Sequence, residues 1–266
     1  MAGFWLGEKA SIRGYRLVGY DTVGSTNSEA LRAAAAGDVG DVWFAALRQT
    51  EGRGRRGRGW DTVHGNLAAS LLVLPDADPA VAATLGFVAG TALSQALARL
   101  LPQGAGRIAL KWPNDVVADG AKLAGILLEA QKRNDGRIAI VVGLGVNVVA
   151  APAGLPYPAT SLKALGAEVS AEATFAALSE AWVDCYEAWA GGRGIADILR
   201  QWRAVAAGIG APVAVDRGGD IVRGIFESID EAGRLIVRAD GGKRIVITAG
   251  DVYFGSTAGA LNLGDR

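Results

Sequence analysis

The chain has 266 residues, and its 27 Lys and Arg residues balance its 27 Asp and Glu residues, so the formal net charge is zero. This length supports one large domain, or one large and one small domain. The balanced charge provides no global field toward nucleic acid or an anionic membrane, so electrostatic binding has to come from a local cluster. The single Cys185 and the single His64 exclude an internal disulfide, a cysteine-rich metal site and a histidine triad. They favour a reducing, cytoplasmic setting.

Two uncharged stretches are long enough to resemble membrane spans. In 79–98, Thr91 and Ser94 fall with other polar residues on one helical arc, opposite an apolar arc, as in an amphipathic helix. The stretch 138–162 is interrupted by three prolines and several glycines, which suits a buried strand followed by a loop. The N-terminus lacks the basic start and apolar core of a secretory signal. We therefore expect no membrane segment.

The first predicted element is a helix that begins at Thr26, because Thr26 and Glu29 have capping-box spacing ahead of an alanine-rich run. Gly37 would end this helix. Apolar and β-branched runs predict strands at 43–48, 67–74, 108–111, 123–130 and 138–144. Strands that alternate with helical periodicity indicate an α/β or α+β domain that extends to about residue 207.

Two helices are predicted near the end of this domain. The first carries an aromatic stripe between Phe175 and Trp189 at three- and four-residue spacing, which we interpret as core packing. Cys185 lies inside the stripe and is interpreted as a small buried hydrophobe, not as a nucleophile. The second helix spans 195–205 with the same periodicity.

After Gly208 the pattern changes to short apolar runs separated by Gly and Asp, at 212–215, 221–228, 235–238 and 244–248. Such runs predict a small barrel of about 45 residues that packs on the larger domain. We therefore divide the chain into a large domain at 1–207, a small C-terminal domain at 208–256 and a tail at 257–266.

The segment 51–60 interleaves glycines with four arginines, which are Arg53, Arg55, Arg56 and Arg58. Glycine permits close backbone approach, and each guanidinium offers a planar fork to phosphate or carboxylate. A Walker phosphate loop is excluded, because no Gly-Lys-Ser/Thr follows at the required spacing. Three interpretations remain: a solvated basic loop, an Arg/Gly nucleic-acid segment and, favoured here, a loop that folds over a small phosphorylated ligand.

Three further segments carry chemistry. KWPND at 111–115 places a cation, an aromatic ring, a rigid turn and a carboxylate at the end of a predicted strand. KLAGILLE at 122–129 begins a strand with a lysine, and GLGVN at 143–147 ends a strand with two glycines, where a ligand or backbone can approach closely. Each segment is weak evidence alone, and their order and joint presence are much more specific.

Together with Ser25-Thr26-Asn27, and with Gln49 ahead of GRGRRGR at 52–58, these segments resemble the biotin protein ligase family. The resemblance extends over about 19–254. It implies an α+β fold, with a catalytic domain whose mixed sheet is flanked by helices and a C-terminal SH3-like barrel. Some members also carry an N-terminal DNA-binding winged helix. Only 24 residues precede Ser25, so we expect the ligase-only form, with no DNA partner.

Members of this family activate biotin with ATP to biotinyl-5′-adenylate, release pyrophosphate, and pass the biotinyl group to a lysine of a carrier domain. The resemblance therefore implies a biotin carboxyl-carrier ligase with ATP, biotin and Mg²⁺, and with the carrier domain of a biotin-dependent carboxylase as partner. Two anions have to meet, so cations must screen their approach and stabilise the charge that develops on phosphorus. No protein nucleophile is required.

The resemblance also assigns roles to the matching residues. Lys122, Arg53 and Arg55 would be catalytic cations that contact the biotin carboxyl group and the nascent adenylate. The residues expected to bind biotin are Ser25, Thr26, Asn27, Gln49, Gly52, Arg53, Gly54, Arg55, Lys122, Gly125, Gly143 and Gly145. The residues expected to bind ATP are Arg55, Arg56, Arg58, Trp60, Lys111, Asn114, Asp115 and Asn147. Asp115 is also the candidate Mg²⁺ ligand, although a structural Asn-Asp turn explains it nearly as well.

Several alternatives stay open at this point. Trp60 either stacks on adenine or anchors the end of its loop, and His64 is interpreted as a surface turn residue without a catalytic role. The runner-up function is a lipoate or octanoate attachment enzyme of similar fold; transferases of that group use a thiol, for which Cys185 is poorly placed. The other alternative is a nucleic-acid-binding protein that uses the Arg/Gly segment. Edge pairing of the sheet would give a homodimer, by resemblance to relatives.

Overall fold

The computed structural model describes residues 3–102 and 107–254. Its helices are α1 (Glu8–Ile12), α2 (Thr26–Ala35), α3 (Pro79–Ala82), α4 (Leu85–Leu100), α5 (Ala171–Trp189) and α6 (Ile195–Ala204). Its strands are β1 (Arg16–Val23), β2 (Val42–Gln49), β3 (Leu67–Val73), β4 (Ile108–Lys111), β5 (Asp115–Ala118), β6 (Ala121–Lys132), β7 (Ile138–Val146), β8 (Pro212–Asp216), β9 (Ile221–Ile229), β10 (Leu235–Arg238), β11 (Arg244–Ile247) and β12 (Asp251–Phe254). The predicted tail at 257–266 lies outside the described residues.

The strands form two sheets. The first has seven strands in the order β1-β2-β3-β7-β6-β5-β4, with β1 parallel to β2 and the other pairs antiparallel. The second is antiparallel, in the order β11-β10-β9-β8-β12. A mixed sheet flanked by helices, followed by a small all-β unit, confirms the predicted fold class. Every strand predicted for the large domain and for the small C-terminal domain is present.

The two faces of the first sheet are covered unequally. On one face, Ala30 and Ala34 of α2 pack against side chains from β2, β3 and β7 in a small cluster. On the opposite face, α4, α5 and α6 form the main core, which includes Trp43 and Trp182. Because the short helix α2 covers only part of its face, the floor of the site described below lies beside its N-terminus.

The amphipathic helix predicted around 79–98 is instead buried on both arcs. Thr91 and Ser94 are inaccessible, because α5 and α6 pack on α4 from the side away from the sheet. The buried Ser94 hydroxyl makes a hydrogen bond within its own helix, because its Oγ donates to the Thr91 carbonyl at 2.9 Å. Residues Pro79–Leu100 are long and apolar enough to cross a membrane by length and composition, and 61% of the apolar window is buried inside the protein.

The start of α2 differs from the prediction in its cap. The helix begins at Thr26 as predicted, but the N-cap is Ser25, whose Oγ accepts from the Ser28 backbone N–H. Thr26 is drawn into a different set of hydrogen bonds, described below. The helix ends at Ala35, and Gly37 follows with φ +90°, a left-handed conformation that favours glycine.

The second sheet packs beside the KWPND turn of the first. Trp112 is buried, and its Nε1 donates to the Gly233 carbonyl at 2.9 Å. Gly233 is required there, because a Cβ would overlap the ring of Phe87. Arg203 at the end of α6 also donates to the Ile229 carbonyl at 2.9 Å. These contacts join the small sheet to the large one on the side where the Arg/Gly segment emerges.

Candidate active site

Three glycines lie side by side on the face of the sheet that carries α2. The register pairs Gly125 of β6 with Gly145 of β7, and Leu127 with Gly143. Residues two apart on a strand share a face, so all three glycines expose bare backbone toward the same space. We call Gly125, Gly143 and Gly145 the glycine floor.

A polar network borders one end of the floor, where the N-terminus of α2 meets β2 and β3. Gln49 Oε1 accepts from the Thr26 backbone N–H at 2.8 Å and from Thr26 Oγ1 at 3.0 Å. Ser70 Oγ is within hydrogen-bond distance of Thr26 Oγ1, at 2.7 Å, and of Asn27 Oδ1, at 2.5 Å. We call Thr26, Asn27, Gln49 and Ser70 the polar network. Their hydrogen bonds to one another hold these side chains in place without a ligand.

Glu129 extends this arrangement toward solvent. Its carboxylate accepts from Asn27 Nδ2 at 2.7 Å. Asn27 lies so close over Gly143 that a Cβ there would overlap its amide. Ser70 and Glu129 were not among the predicted site residues. They are brought in by strand register, because Ser70 pairs with Gly143 across β3 and β7, and Glu129 shares the face of Gly125 on β6.

Trp60 and Lys122 lie at the other end of the floor. The indole of Trp60 covers the floor so closely that a Cβ at Gly145 would overlap it. Lys122 Nζ is 5.5 Å from the centroid of the Trp60 ring and 5.4 Å from that of Tyr157. It also forms a salt bridge of 2.8 Å with Asp115. Lys122 is therefore held over the floor between two aromatic faces and one carboxylate.

A pocket opens beside Lys122 and Trp60. Besides these two residues, it is lined by Gly59, Asp61, Asn147, Pro152, Leu155, Tyr157 and Ala159. The segment 152–159 was missed in the sequence, where its prolines indicated only a loop. Asn147 Nδ2 donates to the Thr160 carbonyl at 3.0 Å, whereas Asn147 Oδ1 is buried and accepts no hydrogen bond from the described residues. A buried acceptor without a donor is costly, and it marks a place where a ligand donor would fit.

Residues 52–60, called the Arg/Gly loop from here on, form a closed turn. Arg53 and Gly59 make an antiparallel bridge, and the Trp60 N–H donates to the Gly52 carbonyl at 2.9 Å. At the tip, Arg56 and Gly57 both have left-handed backbone, with φ of +56° and +71°. Glycine adopts this conformation freely, whereas an arginine does so at a cost of about 1 kcal/mol.

The four arginines of the loop have different partners. Arg53 forms a salt bridge of 3.0 Å with Glu129, and Arg56 forms one of 3.1 Å with Asp251, which also pairs with Arg58. Arg55 makes no salt bridge within the described part of the chain, and its Nη1 donates to Asn114 Oδ1 at 3.1 Å. Arg53, Arg56 and Arg58 are therefore paired with carboxylates, and within the described residues Arg55 is the one guanidinium of the loop that has only a neutral partner.

Two cations near the KWPND turn are partly desolvated. Burial lowers the pKa of Arg55 and that of Lys111 from their ordinary values. Lys111 Nζ lies 5.7 Å from the ring centroid of Phe254 on β12. Asn114 is fixed from below, since its Nδ2 donates to the Ile126 carbonyl at 2.7 Å. Arg55 and Asn114 line one pocket, together with residues of both sheets such as Ile126 and Gly233.

Asp115 stands alone as a metal candidate. The described residues contain no group of three or more His, Cys, Asp and Glu side chains that could hold a metal ion. Mg²⁺ in phosphoryl-transfer sites commonly uses only one or two carboxylates together with substrate phosphates. One carboxylate beside a polyphosphate would meet that requirement, although Asp115 is here paired with Lys122.

The remaining candidates lie outside this cluster. His64 Nε2 is 3.1 Å from Asp21 Oδ1, and both side chains are exposed. Cys185 is buried in α5, as predicted, and burial raises the pKa of its thiol to about 12. Such a thiol is a poor nucleophile at neutral pH.

Comparison with known proteins agrees with this architecture. A model of the biotin/lipoate A/B protein ligase family matches residues 38–147, and a model of the biotin protein ligase C terminal domain matches 208–255. The biotin–acetyl-CoA-carboxylase ligase of Paracoccus denitrificans is 41% identical over 237 residues, which are 87% of this chain and 97% of that protein. The ligase of the same description from Mycobacterium tuberculosis is 37% identical, over 86% of this chain and 85% of that protein.

A solved structure shows the same fold. The biotin protein ligase of Aquifex aeolicus in complex with biotin and ATP superposes with a TM-score of 0.75 at 23% identity, over 90% of this chain and 99% of that one. The two sheets and the two family matches define a ligase of the biotin and lipoate attachment class. Within that class, the extended identity to curated relatives is decisive, and the chain belongs to the biotin protein ligase family.

Proposed function

We propose that the protein activates biotin with ATP to biotinyl-5′-AMP and transfers the biotinyl group to a specific lysine of a biotin carboxyl carrier domain. The observation that carries this proposal is the position of Lys122, over the glycine floor and between the polar network and the pocket of Asn147. A cation at that point is suited to the junction of a carboxylate and a phosphate. The solved relatives from Aquifex aeolicus, with biotin and ATP, and from Leishmania major, with biotinyl-5-AMP, support both substrates.

The polar network is assigned to the ureido ring of biotin. A ureido group offers two N–H donors and one carbonyl acceptor, and Thr26 and Gln49 carry a hydroxyl and an amide that match them. Ser25 and Asn27 border the same space from the first turn of α2. The bicyclic ring would lie on the glycine floor, where no Cβ intervenes, and Gly52 and Gly54 would bring loop backbone close to the biotin carboxyl group.

In the first step, a carboxylate oxygen of biotin attacks the α-phosphorus of ATP. A new oxygen–phosphorus bond forms, the bond from the α-phosphorus to the bridging oxygen of the β-phosphate breaks, and pyrophosphate leaves. Lys122 is assigned to the attacking carboxylate and the α-phosphate, and Arg55 to the same group from the opposite side. Each cation is partly shielded from water, which strengthens its interaction with the charge that develops in the transition state.

The pocket beside Trp60 is assigned to the adenosine of ATP. Asn147 Oδ1 lacks a donor in the described structure, and the amino group of adenine would supply one. Trp60 offers an aromatic face, so adenine stacking and loop anchoring remain compatible roles for it. Lys111 and Asn114 border the cleft on the phosphate side, and Mg²⁺ would enter with ATP and meet Asp115. Arg56 and Arg58 would add long-range positive potential.

In the second step, the lysine amine of the carrier attacks the acyl carbon of the adenylate. An amide bond forms, AMP leaves with the bridging oxygen, and the amine proton is released to solvent. The ordered Arg/Gly loop would shield the labile adenylate from water until the carrier arrives. Among the described residues, β5 pairs with β6 only as far as Gly125, so a second copy would pair with the later part of this β6 edge. A homodimer and a cytoplasmic location stay predictions.

The lipoate alternative receives no support from the relatives, which are biotin ligases by description. The thiol that a transferase would require is also buried at Cys185. The nucleic-acid alternative is disfavoured because Glu129 and Asp251 neutralise two of the four arginine charges of the loop.

The proposal is tested by incubating the purified protein with biotin and MgATP and analysing the products by mass spectrometry. Pyrophosphate and a tightly held adenylate are expected, and a carrier domain added afterwards should gain one biotinyl group on its acceptor lysine. The matched arm replaces biotin with lipoate at the same concentration. Adenylate formation from lipoate alone would favour the runner-up function, and formation from neither acid would refute the proposal.

A further inference from the structure

The Arg/Gly loop is attached to the rest of the protein mainly through its side chains. Within 52–60, the backbone hydrogen bonds of the described structure stay inside the loop: Gly54 to Arg58, Arg58 to Arg55 and Trp60 to Gly52. These bonds shape the turn but do not hold it against either sheet. What fixes its place is therefore the set of side-chain contacts that it makes outside the loop, namely the Trp60 indole against the glycine floor and the contacts of its arginines.

Two carboxylates make most of those contacts, one from each sheet. Glu129 on β6 receives Arg53, whose other nitrogen donates to Ser28 Oγ at 2.7 Å. Asp251 on β12 receives both Arg56 and Arg58. One carboxylate thus holds the first half of the loop to the large sheet, and the other holds the second half to the small sheet.

Glu129 also connects the loop to the biotin end of the site. The same carboxylate that binds Arg53 accepts from Asn27 Nδ2 at 2.7 Å, and Asn27 rests on Gly143. Removal of its charge would free the loop and loosen Asn27 at once. Within the described part of the chain, the side-chain partners of Asp251 are Arg56 and Arg58 and not residues of the floor, so the two carboxylates should affect different substrates.

Two positive charges remain after this pairing, since the loop has four arginines and the two carboxylates neutralise two of them. One of these charges belongs to Arg55, which donates to the neutral Asn114. The other is shared by Arg56 and Arg58 around Asp251. The arginines are therefore not equivalent, since Arg55 is the one among them that has no carboxylate partner in the described part of the chain.

We infer that Glu129 and Asp251 are positioning residues that hold the Arg/Gly loop over the site, and that Arg53, Arg56 and Arg58 act through them and not by direct contact with substrate. The kinetic consequences of this inference rest on the proposed function. Its structural consequence, which is how often the loop opens, does not. It gives the small sheet a task in catalysis, namely to anchor the second half of the loop. It also gives Arg53 a positioning role, whereas the sequence predicted a catalytic one.

Direct substrate binding by these arginines predicts kinetics of the opposite sign. If Arg56 and Arg58 bound the triphosphate, Asp251 would compete with it, and Asp251→Asn would lower the KM for ATP. If Arg53 bound the biotin carboxylate, Glu129→Gln would likewise lower the KM for biotin. Loss of a positioning contact instead raises KM and speeds adenylate release, because the loop spends more time open.

The experiment compares Asp251→Asn and Glu129→Gln with matched controls in the full chain. Glu227→Gln is the control for Asp251, because Glu227 also bridges two arginines in the small sheet and has 23% side-chain exposure, against 22% for Asp251. Asp119→Asn is the control for Glu129, because it removes an exposed pairing with Arg107 in which no residue of the loop takes part.

The first readout needs no substrate. Trypsin cleaves after arginine, so the rate of cleavage at 53–58 reports how often the loop opens. Partly exposed ion pairs are modest, so each positioning variant should raise this rate by about threefold to tenfold, with both controls unchanged. This readout separates the two proposals, because it holds even if the wild-type protein forms no adenylate.

The second readout is kinetic, in the wild-type protein once adenylate formation is established. Asp251→Asn should raise the KM for ATP and the adenylate release rate by about threefold to tenfold, and Glu129→Gln should do the same for biotin. The rate of adenylation at saturating substrate should stay within about twofold, as expected for contacts that do not touch reacting atoms. Unchanged tryptic cleavage, or a lower KM in either variant, would overturn the inference.

Discussion

The polar network and the Arg/Gly loop face the same glycine floor, but they differ in burial and in charge. Thr26, Asn27 and Ser70 are at most 5% exposed and neutral, and they bond to one another. Arg53 and Arg58 expose 39% and 57% of their side chains and are held by carboxylates. A neutral ring can be recognised by fixed dipoles that are already in place, whereas an anion requires charges that stay near water until the ligand arrives. The predictions below test this division.

The largest effect is expected at Lys122, which lies over the glycine floor that both the polar network and the Arg/Gly loop face. Lys122→Ala should reduce the rate of adenylate formation by at least about 100-fold, because it removes the charge that stabilises the developing phosphate charge. The measurement is a single-turnover assay with quantification of biotinyl-AMP. Lys132→Ala, at the exposed end of the same strand, is the control. A loss of less than about threefold would place the reacting phosphate elsewhere.

The neutral polar network should be sensitive to the loss of the Ser70 hydroxyl group. Ser70→Ala removes the hydrogen bonds that Ser70 Oγ makes to Thr26 Oγ1 and Asn27 Oδ1, so the KM for biotin should rise by about tenfold while the KM for ATP stays within about twofold. Ser94→Ala, another buried serine, is the control and should change neither constant. Equal changes in both constants would mean that the two ends are not separable.

Ionic strength should affect the charged Arg/Gly loop and not the neutral polar network. Raising the salt concentration from about 0.05 M to about 0.5 M should raise the KM for ATP by about threefold to fivefold, because exposed charges are screened. The KM for biotin should move less. Steady-state kinetics at constant free Mg²⁺ decide the matter, and a larger salt effect on biotin than on ATP would contradict the comparison.

The smallest effect concerns pH. Burial lowers the pKa of Lys111 from its ordinary 10.5, so its positive charge is lost at a lower pH than that of an exposed lysine. The KM for ATP should therefore rise by about twofold to threefold between about pH 8 and about pH 10, with no matching rise for biotin. Lys111→Arg should remove this rise, since arginine stays protonated. A rise that persists in the arginine variant would assign the titration to another group.

The fold was largely predictable where the pattern is local. Leu67–Val73 is apolar except for Ser70 and is buried throughout, so its strand stands out in the sequence. Edge strand β1 was missed, because it is half exposed and contains Gly19 and charged residues. The burial of Thr91 could not be read from an arc of one helix, because it depends on α5 and α6, which are far away in the chain.

The site shows the same limit. Motifs supplied Lys122, Asn147 and the arginines, because each stands in a short and unusual run. Ser70 stands in ordinary strand sequence, and Glu129 ends the KLAGILLE run, which assigned it no role. Only the register of β3, β7 and β6 places them beside the glycine floor. The partners of the arginines were equally hidden, since Asp251 lies 193 residues from Arg58.

The most direct test of the account follows the oxygen atoms of biotin. With biotin carrying ¹⁸O at both carboxyl positions, MgATP and a carrier domain, mass spectrometry after complete transfer should find one ¹⁸O in AMP and none in pyrophosphate. The label reaches AMP only if the biotin carboxylate attacks the α-phosphorus and AMP later leaves with the bridging oxygen. Unlabelled AMP alongside a biotinylated carrier would contradict the account.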